Sequence, residues 1–286
     1  MSEGPNPTDR KRRVAASFDA MAPSYDALRF VRRSAERLVE LAAVPPGARV
    51  LDVATGTGFV AQAAAARVGA GGSVTGIDLS PAMLDRARHK AAATGLAVTY
   101  QVGDAERLEF ADGSFDLVLC ASSLFFVPDM IGAVREWRRV LAPRGRAVFS
   151  SYGPAFLEPG KSLWAACLRR HGGEAPFPPV QRLGQPARCE ELLRLGGFAQ
   201  VEVREEQLGY HATPRERWDE IAAGAEGAPL VALRAEERER LRAEHVAELS
   251  AVAGDRGLWV DVPVIFASGR AEPAAPDRLV QRPGLR

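Results

Sequence analysis

From residue 49 to residue 150, short apolar runs alternate with stretches patterned for helix, and no other feature restricts the fold of this chain so much. A strand that is followed by a helix before the next strand returns builds parallel pairs, since a tight hairpin joins only antiparallel ones. Residues 49–53, 73–78, 98–102, 115–120 and 146–150 read as the strands. The first is apolar on both faces, as a strand covered by helices on each side requires. Residues 57–68 are rich in alanine and closed by Gly69, while the next helix opens on Ser80 as N-cap, with Pro81 in its first turn, and ends near Gly95. Met130, Val134, Trp137 and Leu141 form the buried stripe of a third helix, which Pro143 and Gly145 stop. Further on, Cys189, Leu192 and Leu193 mark a helix closed by Gly196 and Gly197, followed by a strand from Val201 and a last strand over 262–267.

The 286 residues exceed what this sheet needs. The expected layout is an N-terminal helical lid over 1–44, a core over 45–151 resumed at 187–208, and the last core strand over 262–270. Two insertions and a tail complete it. Residues 152–186 carry Pro154, Pro159, Pro176, Pro178, Pro179 and Pro186, which makes them loop-rich around one short helix. Residues 209–261 form a helical cap, with Trp218, Ile221, Ala222 and Ala225 on one face of a helix and an Arg/Glu-rich helix over 234–252. Residues 271–286 are Pro-rich and unpatterned, a disordered tail. Ligands of open α/β sheets sit at the carboxyl ends of the strands, so these excursions are placed around that rim as a lid.

Composition narrows the class of partner. With 37 basic against 36 acidic side chains and a net charge of +1, the chain has no electrostatic case for binding nucleic acid or an anionic membrane. Residues 1–8 are polar and no apolar run of signal-peptide length follows; residues 50–68 are interrupted by Asp52, Gln62 and Arg67, so no span is expected. Cys120, Cys167 and Cys189 are too scattered for a disulfide framework or a metal-binding spacing. A cytoplasmic enzyme without a metal, monomeric or homodimeric, acting on a small molecule, is the expectation.

The chemistry is concentrated in the run from Leu51 to Ala61. Gly56 and Gly58 permit a tight turn between a buried strand and a helix, and let a ligand approach the backbone. Gly56, Gly58 and Ala61 by themselves also satisfy the dinucleotide fingerprint G-x-G-x-x-A, with Asp78 near the ribose-binding distance. Asp52 decides between the readings. A pyrophosphate seated on that helix would meet this carboxylate at close range, whereas a cationic ligand would be attracted. S-adenosylmethionine carries a sulfonium, an ammonium and a ribose, and no phosphate. In this reading Asp52 serves the amino-acid end, Asp78 accepts from the ribose hydroxyls, and Asp104 accepts from the adenine amino group, although Asp104 also fits a helix N-cap.

Four motifs then stand in order: Leu51-Asp52-Val53-Ala54-Thr55-Gly56-Thr57-Gly58, Gly76-Ile77-Asp78-Leu79-Ser80-Pro81-Ala82-Met83-Leu84, Gly103-Asp104-Ala105-Glu106 and Phe115-Asp116-Leu117-Val118. Together they resemble the class I S-adenosylmethionine-dependent methyltransferases. Through Ser17-Phe18-Asp19-Ala20-Met21-Ala22-Pro23-Ser24-Tyr25-Asp26, the chain looks most like the branch that includes the ubiquinone/menaquinone C-methyltransferases, the methyltransferase type 11 group. The likeness covers residues 17–150 and, loosely, the strands after Gly197. It implies a Rossmann-like α/β fold: a seven-stranded, mostly parallel sheet with an antiparallel last strand, plus helical lid insertions. It also implies S-adenosyl-L-methionine as cofactor, held by Asp52, Ala54, Gly56, Gly58, Asp78, Leu79, Met83, Asp104, Ala105, Cys120 and Ala121, with Tyr25 closing over the methionine end. Relatives often carry a histidine or an Arg-Asn pair after the fourth strand. This chain has Leu124-Phe125-Phe126-Val127-Pro128 there, so no general base is carried over.

The expected reaction is in-line transfer of a methyl group to oxygen, nitrogen or carbon of a small, apolar or ring-containing acceptor, driven mainly by alignment and exclusion of water. Phe126, Tyr152, Phe156 and Trp164 are the candidate acceptor contacts, in a lid region that also holds Phe177, Trp218 and Tyr210. His171 and His211 lie in the insertions and are weak candidates for a base, while His245 shares an apolar helical face and reads as a buried, satisfied histidine. Two alternatives use the same loop: an NAD(P)-dependent oxidoreductase, and a protein that binds S-adenosylmethionine without turnover.

Overall fold

The computed structural model describes residues 6–174 and 176–272. Its strands are β1 (Arg49–Val53), β2 (Ser73–Asp78), β3 (Thr99–Val102), β4 (Phe115–Cys120), β5 (Leu141–Tyr152), β6 (Ala199–Gln207), β7 (Tyr210–Ala212), β8 (Leu258–Val260) and β9 (Pro263–Arg270). Seven of them form one sheet in the order β3-β2-β1-β4-β5-β9-β6. The first five run parallel, and β9 runs antiparallel to both β5 and β6. This is the Rossmann-like, mostly parallel sheet with an antiparallel last strand expected from the sequence. The expected tail falls, from residue 273, outside the described residues.

The helices are α1 (Pro7–Met21), α2 (Arg29–Ala42), α3 (Phe59–Val68), α4 (Pro81–Thr94), α5 (Met130–Val140), α6 (Gly160–Arg170), α7 (Pro186–Leu195), α8 (Pro214–Ala223) and α9 (Ala235–Val252). The chain steps from β1 to β2 to β3 in one direction and from β4 to β5 in the other. Right-handed crossovers in opposite directions place α3 and α4 on one face and α5 on the other. The reversal lies between β1 and β4, which makes the crevice at their carboxyl ends the natural ligand site of this topology. Val50, Leu51 and Val53 of β1 are wholly buried at the centre of the main core, and Val134 and Trp137 fill the opposite face from α5. β5 begins five residues earlier than the regular run from Arg146, because the chain passes through an irregular pairing between Phe115 and Leu117 before its register with β4 settles.

Within 1–44, two different roles are separated. α1 and the short turn Tyr25–Ala27 border the strand ends, whereas Leu38, Val39 and Ala42 of α2 are buried in the main core. The insertions make a second core from Trp164, Cys167, Leu168, Trp218, Ile221, Leu230 and Leu241. Trp164 and Trp218 meet edge to face with centroids 5.7 Å apart. A feature absent from the sequence reading is the ribbon of β7 against β8, which clamps both ends of the cap insertion. Its three-residue strands are too short to show alternation.

Candidate active site

A cavity of about 360 Å³ opens at the carboxyl ends of β1 to β5. One end is walled by Ala54, Gly56, Asp78, Leu79, Asp104 and Ala105, and the other by aromatic side chains of the lid and insertions. Gly56 and Gly58 both adopt left-handed backbone, at φ +55° and +84°. The two glycines do different work. A side chain on Gly56 would face the ring of Tyr25 at 3.7 Å, on the cavity side, whereas a Cβ on Gly58 would strike the Tyr100 hydroxyl at 2.5 Å and approach Ala87 at 3.1 Å. Gly58 therefore serves the packing of α3 on the sheet and stands outside the cavity lining.

The acids are arranged in two layers. Asp78 lines the cavity and accepts from the backbone N–H of Gly56 at 2.8 Å and of Ser80 at 2.9 Å. The first N–H of the glycine turn is thereby taken by a carboxylate of the next strand. Asp52 lies one layer behind, 1% exposed, and is not part of the cavity lining. The Thr55 hydroxyl donates to its Oδ2 at 2.5 Å, and its Oδ1 is buried without a hydrogen-bond partner among the described residues. Burial pushes the Asp52 carboxyl up to about 7, against the bond from Thr55, and burial raises Asp78 as well.

A testable consequence follows for Asp52. The native state keeps this proton while the unfolded chain loses it near pH 4, so the native state binds more protons across the window from about 4 to 7 and stability falls as pH rises through it. Asp52→Asn is expected to remove that part of the slope, about 4 kcal/mol at most, and to leave the variant more stable than the parent at pH 7.5. Urea unfolding at pH 4.5 and 7.5 measures it; parallel pH dependence in the two proteins would refute it.

The lid is tied to the strand ends by polar contacts. Lys11 of α1 donates to Asp104 at 2.7 Å and also pairs with Glu106. Asp19 accepts from the Ser80 hydroxyl at 2.5 Å and the Ala82 N–H at 3.2 Å, adding to the N-cap of α4. Asp26, beside Tyr25, accepts from the Thr57 hydroxyl of the glycine loop at 2.5 Å and from Lys90 at 3.2 Å. Sequence reasoning named Asp19, Asp26 and Asp104 but assigned none of these lid contacts. The available signal was that lysine occurs only at 11, 90 and 161 in an arginine-rich chain, and two of the three fasten this lid.

At the other end, Phe18, Phe30, Phe126, Tyr152 and Phe156 form an aromatic wall, joined through Phe125, which meets both Phe126 and Tyr152. Phe18 meets Phe126 edge to face at 5.3 Å, Phe30 meets Phe156 at 5.2 Å, and Tyr152 stacks on Phe156 at 3.8 Å. Burial pushes the Tyr152 hydroxyl up to about 12, so it stays a protonated group at neutral pH. Glu226 lines the same end, with both carboxylate oxygens accepting from Arg217 at 2.7 and 2.8 Å. Arg217 is wholly buried, and neither residue was singled out in the sequence.

Of the expected cofactor set, Tyr25, Ala54, Gly56, Asp78, Leu79, Asp104, Ala105 and Ala121 line the cavity. Asp52, Gly58, Met83 and Cys120 support it from beneath: Met83 is wholly buried, and the Cys120 thiol, raised to about 12 by burial, contacts the Ser123 hydroxyl at 3.1 Å. Of the expected acceptor contacts, Phe126, Tyr152 and Phe156 line the cavity and Trp164 does not. Trp164 is turned into the second core, where its indole donates to the Glu226 carbonyl at 2.9 Å. The two weak base candidates are also elsewhere. His171 is on the surface against Glu244 at 2.7 Å, and His211 packs on Trp259 in the β7–β8 ribbon. His245 is buried as expected but only half satisfied, since Nδ1 meets Glu248 at 3.1 Å and Nε2 has no partner among the described residues.

Comparison with known proteins agrees with this geometry. A family model described as a methyltransferase domain matches residues 51–149. The nocamycin O-methyltransferase of Saccharothrix syringae is 32% identical over 279 residues, which cover 90% of this chain and 98% of the relative. The demethylmenaquinone methyltransferase of Deinococcus radiodurans is 38% identical over 219 residues, covering 66% of this chain and 86% of that protein. Among solved structures, phosphoethanolamine N-methyltransferase 2 of Haemonchus contortus, in complex with phosphomonomethylethanolamine and S-adenosylhomocysteine, shares the fold. Its TM-score is 0.56 at 21% identity, over 96% of this chain and 62% of that one. The strand order, the carboxylate-occupied glycine turn and a relative matched over nearly its whole length converge: the chain belongs to the S-adenosylmethionine-dependent methyltransferase family.

Proposed function

We propose that this protein binds S-adenosylmethionine in the strand-end half of the cavity and O-methylates a ring-containing small molecule held in the aromatic half. The observation that carries the reading is the single continuous cavity, with Asp78 and Asp104 at one end and Phe126, Tyr152 and Phe156 at the other. The residues fit the cofactor. Asp78 and Asp104 present acceptors for ribose hydroxyls and an adenine amino group, and Gly56 and Tyr25 border the methionine end, with Asp52 buried one layer behind. When bound, S-adenosylmethionine supplies a methyl group already activated on a sulfonium.

The chain's part is to hold the acceptor oxygen in line and to keep water out, which supplies roughly 7 to 11 kcal/mol in well-oriented reactions. No histidine lines the cavity among the described residues. A phenol or enol, whose hydroxyl is itself acidic, therefore suits this site better than an alcohol that needs a strong base. The name of the near-full-length relative, an O-methyltransferase, supports oxygen as the acceptor atom. Neither a nucleic acid nor a membrane is required, in keeping with the balanced charge and with the absence of any described helix long and apolar enough to cross a membrane. We place the activity in the cytoplasm, in a monomer or homodimer.

Thermal melting with S-adenosylhomocysteine, NAD and NADP tests the cofactor. At about 100 times its Kd a ligand of the native state adds about 2.7 kcal/mol of stability, expected here for S-adenosylhomocysteine alone. Incubation with methyl-labelled S-adenosylmethionine and a panel of phenols and enols then tests the reaction. Label in an O-methyl product is expected. Label on nitrogen or carbon would overturn the acceptor reading, and binding without acceptor-dependent release of S-adenosylhomocysteine would leave a non-catalytic binder.

A further inference from the structure

Away from this cavity, the end of α6 faces α9 across five metal-ligating side chains. Cys167 and His171 lie one turn apart at the end of α6, and Glu244, His245 and Glu248 occupy one face of α9. The ligand atoms of Cys167, His245 and Glu248 all lie within 4.8 Å of one another, and so do those of Cys167, His171 and Glu244. The two groups share the buried thiol. Arg170 reaches between the carboxylates, donating to Glu244 at 2.8 Å and also to Glu248. Its guanidinium is held by carboxylates on the far helix, while its own side chain is about half exposed and free to swing outward. His245 is wholly buried; its Nδ1 faces Glu248 at 3.1 Å, and its Nε2 has no partner among the described residues.

We propose that Cys167, His245 and Glu248 form a site for one divalent cation of the zinc class, with Glu244 completing it when Arg170 moves aside. Thiolate, imidazole and carboxylate are the donor set of a borderline cation; calcium and magnesium prefer oxygen ligands throughout. The ligands come from both insertions, and the bound ion would pin one to the other. The effect would extend to the acceptor end of the cavity, because Trp164 of α6 holds the carbonyl of Glu226 and its ring lies 5.0 Å from that of His245. The role is structural and independent of the methyl-transfer reading. The three cysteines, judged by their spacing along the chain, concealed this possibility, because a site shared by two helices needs only one of them.

Titration of the tag-free, chelator-stripped full chain with zinc, and with cobalt as a spectroscopic probe, tests the proposal. One ion per chain is expected, with a thiolate-to-cobalt charge-transfer band and an upward shift in Tm. Cys167→Ser should abolish the band and weaken zinc binding by at least about tenfold. Arg170→Ala, a surface change that leaves the fold intact, should tighten binding several-fold by removing the competing cation. His245→Ala is the less secure variant because it opens a hole in the second core. Failure to bind one ion, affinity indifferent to Cys167→Ser, or weaker binding in Arg170→Ala would each overturn the proposal.

Discussion

Asp78→Ala is expected to weaken S-adenosylhomocysteine binding about 100-fold, a loss of about 3 kcal/mol measured by calorimetry. The carboxylate has two tasks that alanine cannot perform. It satisfies the N–H groups of Gly56 and Ser80, which shapes the glycine turn, and it presents charge to the cavity. Hydrogen bonds to a charged acceptor are worth about 1.5 to 3 kcal/mol each, and the variant loses both the preformed turn and the ligand contact. Asp78→Asn keeps one acceptor oxygen at the same place and should lose closer to tenfold, separating shape from charge. Unchanged affinity for S-adenosylhomocysteine in Asp78→Ala would remove Asp78 from the site.

The second large effect is on stability. Arg217→Ala is expected to destabilise the fold by about 3 to 5 kcal/mol in urea unfolding, since it strands Glu226, 5% exposed, without its only side-chain partner. Glu220 would be less affected, because Arg29 at 2.7 Å and the Tyr210 hydroxyl at 2.8 Å still donate to it. The intact pair is a costly arrangement. Among the described residues Nε and Nη1 of Arg217 are buried without a hydrogen bond, Nη1 lying 4.0 Å from Glu220, so the desolvation of the guanidinium is incompletely offset. The double variant Arg217→Met, Glu226→Leu is therefore expected to recover most of the stability lost in the single one, as apolar replacement of buried ion pairs commonly does. A loss under about 1 kcal/mol in Arg217→Ala would mean that solvent reaches Glu226 more easily than its burial indicates. Of the pair, Glu226 borders the cavity, and Arg217 stands behind it.

Much of the cofactor end was legible in sequence because its constraints are local. A turn with two left-handed glycines, a strand apolar on both faces and a Ser80-Pro81 helix start each follow from backbone sterics over a few residues. Asp78 was found by its position at a strand end, and the structure places it in the cavity. Asp52, read from the sequence as a contact to the amino-acid end, lies one layer behind the cavity. Both acids stand late in their strands, and only three-dimensional register shows that one side chain points beneath the loop and the other toward Gly56.

The acceptor end was legible only as a tendency to be aromatic. Trp164 shares its helix with residues of the second core and turns away from the cavity, while Phe30, from a helix that otherwise fills the main core, turns into it. Helical periodicity reports which positions share a face, and not what that face meets. Lys11 on Asp104, Asp26 on Thr57 and Arg217 on Glu226 are likewise pairings between separated elements, invisible to spacing along the chain. By itself, then, the sequence determined the order and type of the elements and the chemistry of the strand ends, because propensity, backbone freedom and charge act over a few residues. Only the tertiary structure decided which acid lines the cavity, which aromatic rings wall its far end and which buried charges lie behind them, since side-chain direction is set by packing between segments far apart in the chain.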